Sequence, residues 1–514
     1  MIAIRYALGD VADAVDAAVT DLADQGAMEA IFAKDPVLWG EGTPEVANRL
    51  GWVDIAERTL DEWDELVELG REISSWATQV VVLGMGGSSL FPEVLAATFG
   101  QQPGMPRLRV LDTTDPAAVQ RVLDTTDPLT TCVVVSSKSG STVETRSHFE
   151  LFWERSGDPK HFIIVTDPDS GLAVDARDRG ITAVFENDPD IGGRFSALSF
   201  FGMVPAALAG IEGASMLESA LDESDAVQPL GDDETHNTGL VFGATLGAAA
   251  RAGRNKLTLV LDERIAAFGL WLEQLIAEST GKHGVGIVPV IGESTEEILE
   301  SLSDRLVVTI GEVADRAALR DSRVPLVELS LEEPDDLGAQ VLLWEIAIAL
   351  AGRVLEINPF DQPDVESAKV AARAVLDGSS SDVVPAVVAL DTALASVGPR
   401  DYVALCAFID PFGEDAVRME QVRRALDLRL KRPVTLGVGP RFLHSTGQLH
   451  KGGPDEVVVI QIVDPSPNDL AIPGQTFTFG TLIAAQADGD FAALAAAGKR
   501  VFRVAAAELL SVGD

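Results

Sequence analysis

The chain is poor in cysteine, in basic residues and in long apolar runs, and each shortage removes a class of function. Only two cysteines occur in 514 residues, Cys132 and Cys406, both inside strand-like runs (CVVV and YVALCAFI). They read as buried free thiols, which argues against a disulfide framework. Lysine and arginine number 39 against 80 aspartates and glutamates, a formal net charge of −41. Nucleic-acid binding needs basic patches that displace counterions, and no such stripe is present. The same deficit disfavours an anionic membrane surface; the charge itself reads as solubility or adaptation to salt. No apolar stretch reaches the ~20 residues that span a bilayer. The opening MIAIRYALGD has no basic region leading into an apolar core, so it does not read as a secretory signal. A cytoplasmic protein is expected. Short-period repeats and long low-complexity tracts are also missing.

What is present is a chain 46% hydrophobic, enough for several domains with cores of their own. Residues 1–78 carry apolar positions at helical spacing through Val11–Ile31 and Val53–Trp76, and are read as an N-terminal helical segment. From residue 79, strands alternate with helices: Gln79–Leu83, Leu108–Leu111, Thr131–Ser136 and His161–Val165. That alternation predicts a doubly wound α/β domain over 79–190. A helical connection follows over 191–250. A second α/β unit over 251–377 contains strands Leu257–Leu261 and Leu306–Ile310 and a long helix near Leu337–Gly352. Gly378–Asp382 (GSSSD) reads as a linker. Residues 383–514 alternate again, with strands Tyr402–Phe408, Val434–Leu436, Val457–Ile462 and Val501–Val504, and form a third α/β portion.

The most informative segment is Ser136–Thr142 (SSKSGST), directly after the β-branched run that ends at Val135. A strand feeding a helix start, with free N–H groups and hydroxyls beside them, suits a phosphate. Gly84–Ser89 (GMGGSS) follows the first strand. It lacks the last glycine of the dinucleotide fingerprint, and no Walker lysine accompanies it. A tight turn accounts for it as well as a binding loop does. Both loops fall at the carboxyl ends of parallel strands, where open α/β sheets bind ligands.

Gln274 and Glu278 lie four apart on one helical face, near a helix C-terminus that disfavours negative charge. A carboxylate placed there is either solvated or a poised base. Lys369 lies about two turns into the helix that follows Asn358–Pro363, where a surface lysine is the bland reading. Leu443–Gly453 gathers two of the six histidines, His444 and His450, beside Lys451. No cysteine or carboxylate completes a metal set there, so proton transfer suits the histidines better.

Together these segments resemble the phosphoglucose isomerase family, over most of residues 80–375 and the stretch around 444. Gly84–Ser88 is similar to the family's G-x-G-G-S turn, and Ser137–Thr145 (SKSGSTVET) to its serine-lysine phosphate loop. Gly193–Ser196 (GRFS) resembles its arginine motif, and Glu278–Lys282 (ESTGK) the signature that carries its catalytic base. Leu355–Lys369 (LEINPFDQPDVESAK) resembles the I-N-x-F-D-Q-x-x-V-E-x-x-K signature. The position of the histidine departs from the pattern: its motif usually falls between the glutamate and the final lysine. Here residues 284–356 contain no histidine, and Leu-His-Ser-x-Gly-Gln stands at 443–448. In this the chain looks most like the isomerase portion of transaldolase–isomerase fusion proteins. His450, His283 and His236 are the alternatives to His444, in that order.

The resemblance implies two sugar-isomerase domains with flavodoxin-like parallel sheets, and interconversion of glucose 6-phosphate and fructose 6-phosphate through a cis-enediolate. Ser137, Ser139 and Thr142 would hold the phosphate, helped by Lys138, with Ser88 beside them. His444 and Lys369 would open the ring. Glu278 would move the proton from carbon 2 to carbon 1, Arg194 would stabilise the enediolate, and Gln274 and Gln362 would hold hydroxyls. No metal or organic cofactor is implied. The expected partner is a small sugar phosphate, with the chain acting as monomer or homodimer. The family's histidine comes from the partner subunit; here the extra C-terminal portion would deliver it within one chain. Competing expectations are an isomerase of another anionic hexose, such as mannose 6-phosphate or a sulfonated sugar, and a sugar-phosphate sensing module without turnover. A nucleotide-dependent dehydrogenase is a third, against which the incomplete glycine fingerprint counts.

Overall fold

A computed structural model describes residues 1–40, 42–43, 45–229, 231, 233–364, 385–464 and 468–512. The expected linker 378–382 and Lys369 lie outside the described residues. Short apolar runs become the strands, numbered along the chain. The first are β1 (Ile4–Ala7), β2 (Gln79–Leu83), β3 (Arg107–Leu111), β4 (Thr131–Ser137), β5 (Phe162–Thr166) and β6 (Val184–Glu186). Then come β7 (Lys256–Leu261), β8 (Val288–Ile291), β9 (Arg305–Ile310) and β10 (Leu326–Leu329). The last are β11 (Tyr402–Phe408), β12 (Val434–Val438), β13 (Val457–Val463) and β14 (Arg500–Val504).

Among the described residues the strands form three sheets. The first has the order β3-β2-β4-β5-β6 and is parallel throughout. β4 is buried along its whole length, as a central strand covered on both faces must be. The chain leaves β2 toward one side of the sheet and returns at β4 to build the other. The crevice between their carboxyl ends is therefore the topological switch point, and the loops 84–88 and 137–142 open onto it.

The second sheet has the order β1-β10-β9-β7-β8, parallel except that β1 pairs antiparallel with β10. The N-terminal segment, read as helical, thus begins with an edge strand. Four residues with alternating burial are too few to register as a period against the helical pattern that follows. The runs VFE, VPVI and LVEL of β6, β8 and β10 escape a sequence reading for the same reason. The third sheet, β12-β11-β13-β14, is parallel.

One expectation is corrected. The helix Leu337–Val354, with the turn before it, is long and apolar enough to cross a bilayer by length and composition. It lies instead in the interior, against the helices Gly213–Val227 and Thr238–Arg251, with Gln340 and Glu345 buried along it. The C-terminal portion shares cores with both of the other sheets. Ile472, Phe479 and Leu482 join the apolar core on one face of the first sheet. Val288 and Val290, in the edge strand β8 of the second sheet, and Ala277 beside it share a core with Tyr402, Val457 and Leu494. Cys132 and Cys406 are buried and unbridged.

Candidate active site

The site is built where the three sheets meet. Gly86 sits at φ +56°, and a Cβ there would come within 2.8 Å of the His444 carbonyl oxygen and 2.9 Å of Gln274 Nε2. At Gly87 an added Cβ would lie 1.9 Å from the Gly193 carbonyl oxygen. The glycine-rich turn after β2 is therefore a backbone junction. It lets the segments carrying Arg194 and His444 close in, which no side chain would allow. Ser88, in the same turn, is buried.

Across the switch point, Thr142 stands at the N-cap of the helix Val143–Ser156 without a side-chain capping bond. Its hydroxyl pairs with that of Ser137 at 3.1 Å, and Ser139 pairs with Ser141 at 3.0 Å. These weak, exchangeable hydroxyl pairs lie at a helix N-terminus, an arrangement suited to an anion. Lys138 differs from expectation. Its ammonium is ion-paired with Asp167 and donates to the Pro189 carbonyl at 2.9 Å, so it braces the loop and its charge is already balanced.

The other end of the crevice holds the titratable groups. The helix Phe268–Thr280 places Gln274 and Glu278 one turn apart. Gln274 Nε2 donates to Glu278 Oε2 at 3.0 Å and to the His444 carbonyl at 2.9 Å. The other oxygen of Glu278 stands 3.6 Å from Arg194 Nη1, near in charge but beyond a hydrogen bond. Arg194 is buried and donates to Ser279 Oγ at 2.7 Å, Gln362 Oε1 at 2.9 Å, and the carbonyls of Pro359 and Asp361 at 2.6 and 3.0 Å. A guanidinium has five N–H groups. Four are used, and the fifth is on Nη1, the nitrogen nearest Glu278. Burial holds the Arg194 pKa below its ordinary value, against the attraction of Glu278 and Asp361.

Lys282, which closes the ESTGK segment, grips the same loop from below. Its ammonium donates to the carbonyls of Asn358 and Asp361 at 2.7 and 2.6 Å and to Asp361 Oδ1 at 2.7 Å. Burial, and then repulsion from Arg194, bring its pKa down to about 8. Sequence reasoning does not single Lys282 out.

His444 arrives from the loop after β12. Its Nε2 is 2.9 Å from Glu144 Oε1, at the first turn of the helix that follows the phosphate loop. Downstream, Gln448 donates to the Gly281 carbonyl at 2.9 Å and to Asp364 Oδ2 at 2.7 Å, docking the segment against Glu278's helix. The alternatives to His444 lie elsewhere. His450 is buried with Nδ1 3.9 Å from Cys406 Sγ, and burial lowers its pKa to about 3, which keeps it neutral. His283 and His236 are exposed. Glu144 escapes a sequence reading although it stands in the SKSGSTVET segment; an acid in a helix's first turn looks like ordinary dipole chemistry. Among the described residues, no group of three or more metal-ligating side chains is present.

Comparison with known proteins shows the family. A sequence model of the family described as "Phosphoglucose isomerase" matches residues 59–299. A glucose-6-phosphate isomerase of Thermus thermophilus is 30% identical over 395 residues, covering 65% of this chain and 92% of that protein. That of Rubrobacter xylanophilus is 28% identical over 372 residues, 61% and 86% of the two chains. Among solved structures, a hypothetical protein from Thermus thermophilus superposes with a TM-score of 0.61 at 26% identity, covering 72% of this chain and 99% of that one. The glucose-6-phosphate isomerase of Chlamydia trachomatis shares the fold, with a TM-score of 0.62 at 23% identity over 74% and 89% of the chains. With the ordered motifs, the two-sheet crevice and relatives matched over most of their length, the chain belongs to the phosphoglucose isomerase family.

Proposed function

We propose that the chain interconverts glucose 6-phosphate and fructose 6-phosphate. The observation that carries this reading is one juxtaposition. A carboxylate, Glu278, stands beside a buried guanidinium that keeps one N–H unused, and is linked through Gln274 and His444 to Glu144, on the helix that the hydroxyl loop 137–142 feeds. The names of the relatives point to the same sugar pair.

In this reading the phosphate sits on the N–H groups at the start of the helix Val143–Ser156 and on the hydroxyls of Ser137, Ser139 and Thr142, with Ser88 beside them. His444, paired with Glu144, moves a proton at the ring oxygen. The resemblance gives Lys369 the companion role at the anomeric hydroxyl. Glu278 then removes the proton from carbon 2, leaving an enediolate with its charge on oxygen 1. The remaining N–H of Arg194 meets that charge, and Glu278 returns the proton to carbon 1. The hydroxyl proton passes from oxygen 2 to oxygen 1, so atoms and charge balance. Gln274 holds Glu278 through one oxygen and leaves the other for chemistry. Positioned proton transfer contributes roughly 10²–10⁴-fold, and charge stabilisation in a dry site supplies the larger share.

A coupled assay offering glucose 6-phosphate, fructose 6-phosphate and mannose 6-phosphate tests the reading, with reversible turnover of the first pair expected. Glu278→Gln should lower kcat by ~10³-fold or more while sugar-phosphate binding is retained. Tight binding without turnover by the natural chain would favour a sensing module. Near wild-type turnover by Glu278→Gln would remove the base.

A further inference from the structure

The C-terminal sheet contributes more to the site than His444. The helix Phe479–Ala496 lies between two cores, with Leu482 in that of the first sheet and Ile483, Ala487 and Leu494 in that of the third. Between them, Gln486 is buried and donates Nε2–H to Glu144 Oε1 at 2.7 Å. Its amide oxygen accepts from Thr114 Oγ1 at 2.7 Å. Glu144 Oε1 therefore faces two donors, His444 and Gln486. A carboxylate only accepts, so the Nε2 of His444 carries the proton and its Nδ1 keeps the lone pair. The amide of Gln486 is equally fixed. Turning it over would set its oxygen against the carboxylate, which only accepts.

We propose that Gln486 is a positioning residue for proton transfer by His444: it locks the Glu144 carboxylate, and through it the tautomer and ring plane of the histidine. The inference rests on the reading of His444 given above. A second effect follows from charge. The N–H of Gln486 partly neutralises the oxygen that faces His444, so Glu144 stabilises the imidazolium less than it would alone.

Among the described residues, charged groups around the pair have partners of their own. Asp112 is held by Arg441 through both oxygens at 2.7 and 2.9 Å. His148, one helical turn from Glu144, donates to the Thr113 carbonyl at 2.9 Å and stacks on Phe479; burial lowers its pKa to about 4, so it stays neutral. Among the described residues, Glu278 is linked through Gln274 to the His444 carbonyl. Gln486 is thus a neutral group whose removal acts on the Glu144–His444 pair directly.

The test is Gln486→Met, which keeps volume and loses both polar ends. We expect kcat to fall about tenfold, KM to stay within about twofold, and the acid limb of the kcat–pH profile to move up by roughly half a unit or more as Glu144 holds the imidazolium more firmly. Thr114→Val, which leaves the Gln486 amide oxygen without its donor and so loosens the amide's hold on Glu144, should move the limb the same way by less, and the double variant should be less than additive. Should Gln486→Met not fold, the Thr114→Val profile decides. An unmoved acid limb in a folded variant, with kcat near wild type, overturns the proposal. His444→Gln separates the two readings. If it retains activity, the role of His444 falls; if it is inactive while the Gln486 and Thr114 variants keep the wild-type profile, only the positioning role falls.

Discussion

Arg194 shows why one residue type is required at the chemical end of the crevice. Its guanidinium ties the start of the helical connection to Ser279 and to three acceptors of the 359–362 loop, and still has one N–H for substrate. A lysine has three donors radiating from one atom on a flexible stem. It cannot satisfy four fixed acceptors and a fifth position. Arg194→Lys should therefore keep the charge yet lower kcat by about 10²–10³-fold, in line with the loss of a preorganised charge-stabilising donor, with a smaller change in KM. Steady-state kinetics in both directions check this; a KM effect alone would place Arg194 in ground-state binding. Arg194, Glu278 and the hydroxyl loop are legible as residues because each stands in a compact segment whose spacing carries chemistry. Glu144 is half legible. Gln486 leaves no signal, since a lone glutamine in an alanine-rich helix acquires meaning only from the carboxylate that tertiary packing sets against it. Lys138 is legible as a cation but not in its role, because Asp167 and Pro189 are far from it in sequence.

At the scale of elements, the helix Phe268–Thr280 serves three neighbours at once. Gln274 and Glu278 face the crevice. Glu273, adjacent to Gln274, faces the groove between this helix and the C-terminal sheet, a cavity of about 890 Å³ lined also by Glu420 and Arg424. Burial pushes the Glu273 pKa up to about 7, opposed by Arg441. Because the folded value exceeds the ordinary 4.5, the folded state binds more protons than the unfolded one between those limits. The stability this group contributes is full below about 4.5 and is lost as pH rises through about 7. Glu273→Gln removes that dependence. Thermal unfolding at a series of pH values should give a Tm gain of the variant over the natural chain that grows from about pH 4.5 to about 7.5. A gain independent of pH would mean that Glu273 titrates normally. The strands that build this scaffold are legible where three or more apolar residues run together within an element of at least five, as in β2, β4, β7 and β11. The shorter β1, β6, β8 and β10 are strands because a neighbour offers an edge, and that is not written in their own four residues or fewer.

For the whole molecule, the question is what the C-terminal sheet does for a crevice formed by the other two. It is held on both sides by buried or partly buried polar contacts. Arg423 pairs with Glu297 at 3.1 Å, Lys256 with Glu456 at 2.5 Å and Arg441 with Asp112 at 2.7 Å. Its apolar residues complete cores that begin in the first sheet and beside the second. Removing residues 385–512 would open those cores, so truncation confounds folding with chemistry. Point variants avoid this. In one chain, His444 reaches Glu144 and its carbonyl is linked through Gln274 to Glu278, so these groups of the proposed site come from a single copy. Glu278→Gln and His444→Gln should each be inactive, and mixing them, with unfolding and refolding together to exchange subunits, should restore nothing. If instead each site drew its histidine from a partner, half of randomly mixed dimers would be hybrids, each with one intact site. About a quarter of wild-type activity would then return. Recovery near that level would make the intrachain placement of His444 wrong for the working enzyme. Its absence would identify the C-terminal sheet as the means by which one chain closes its own active site.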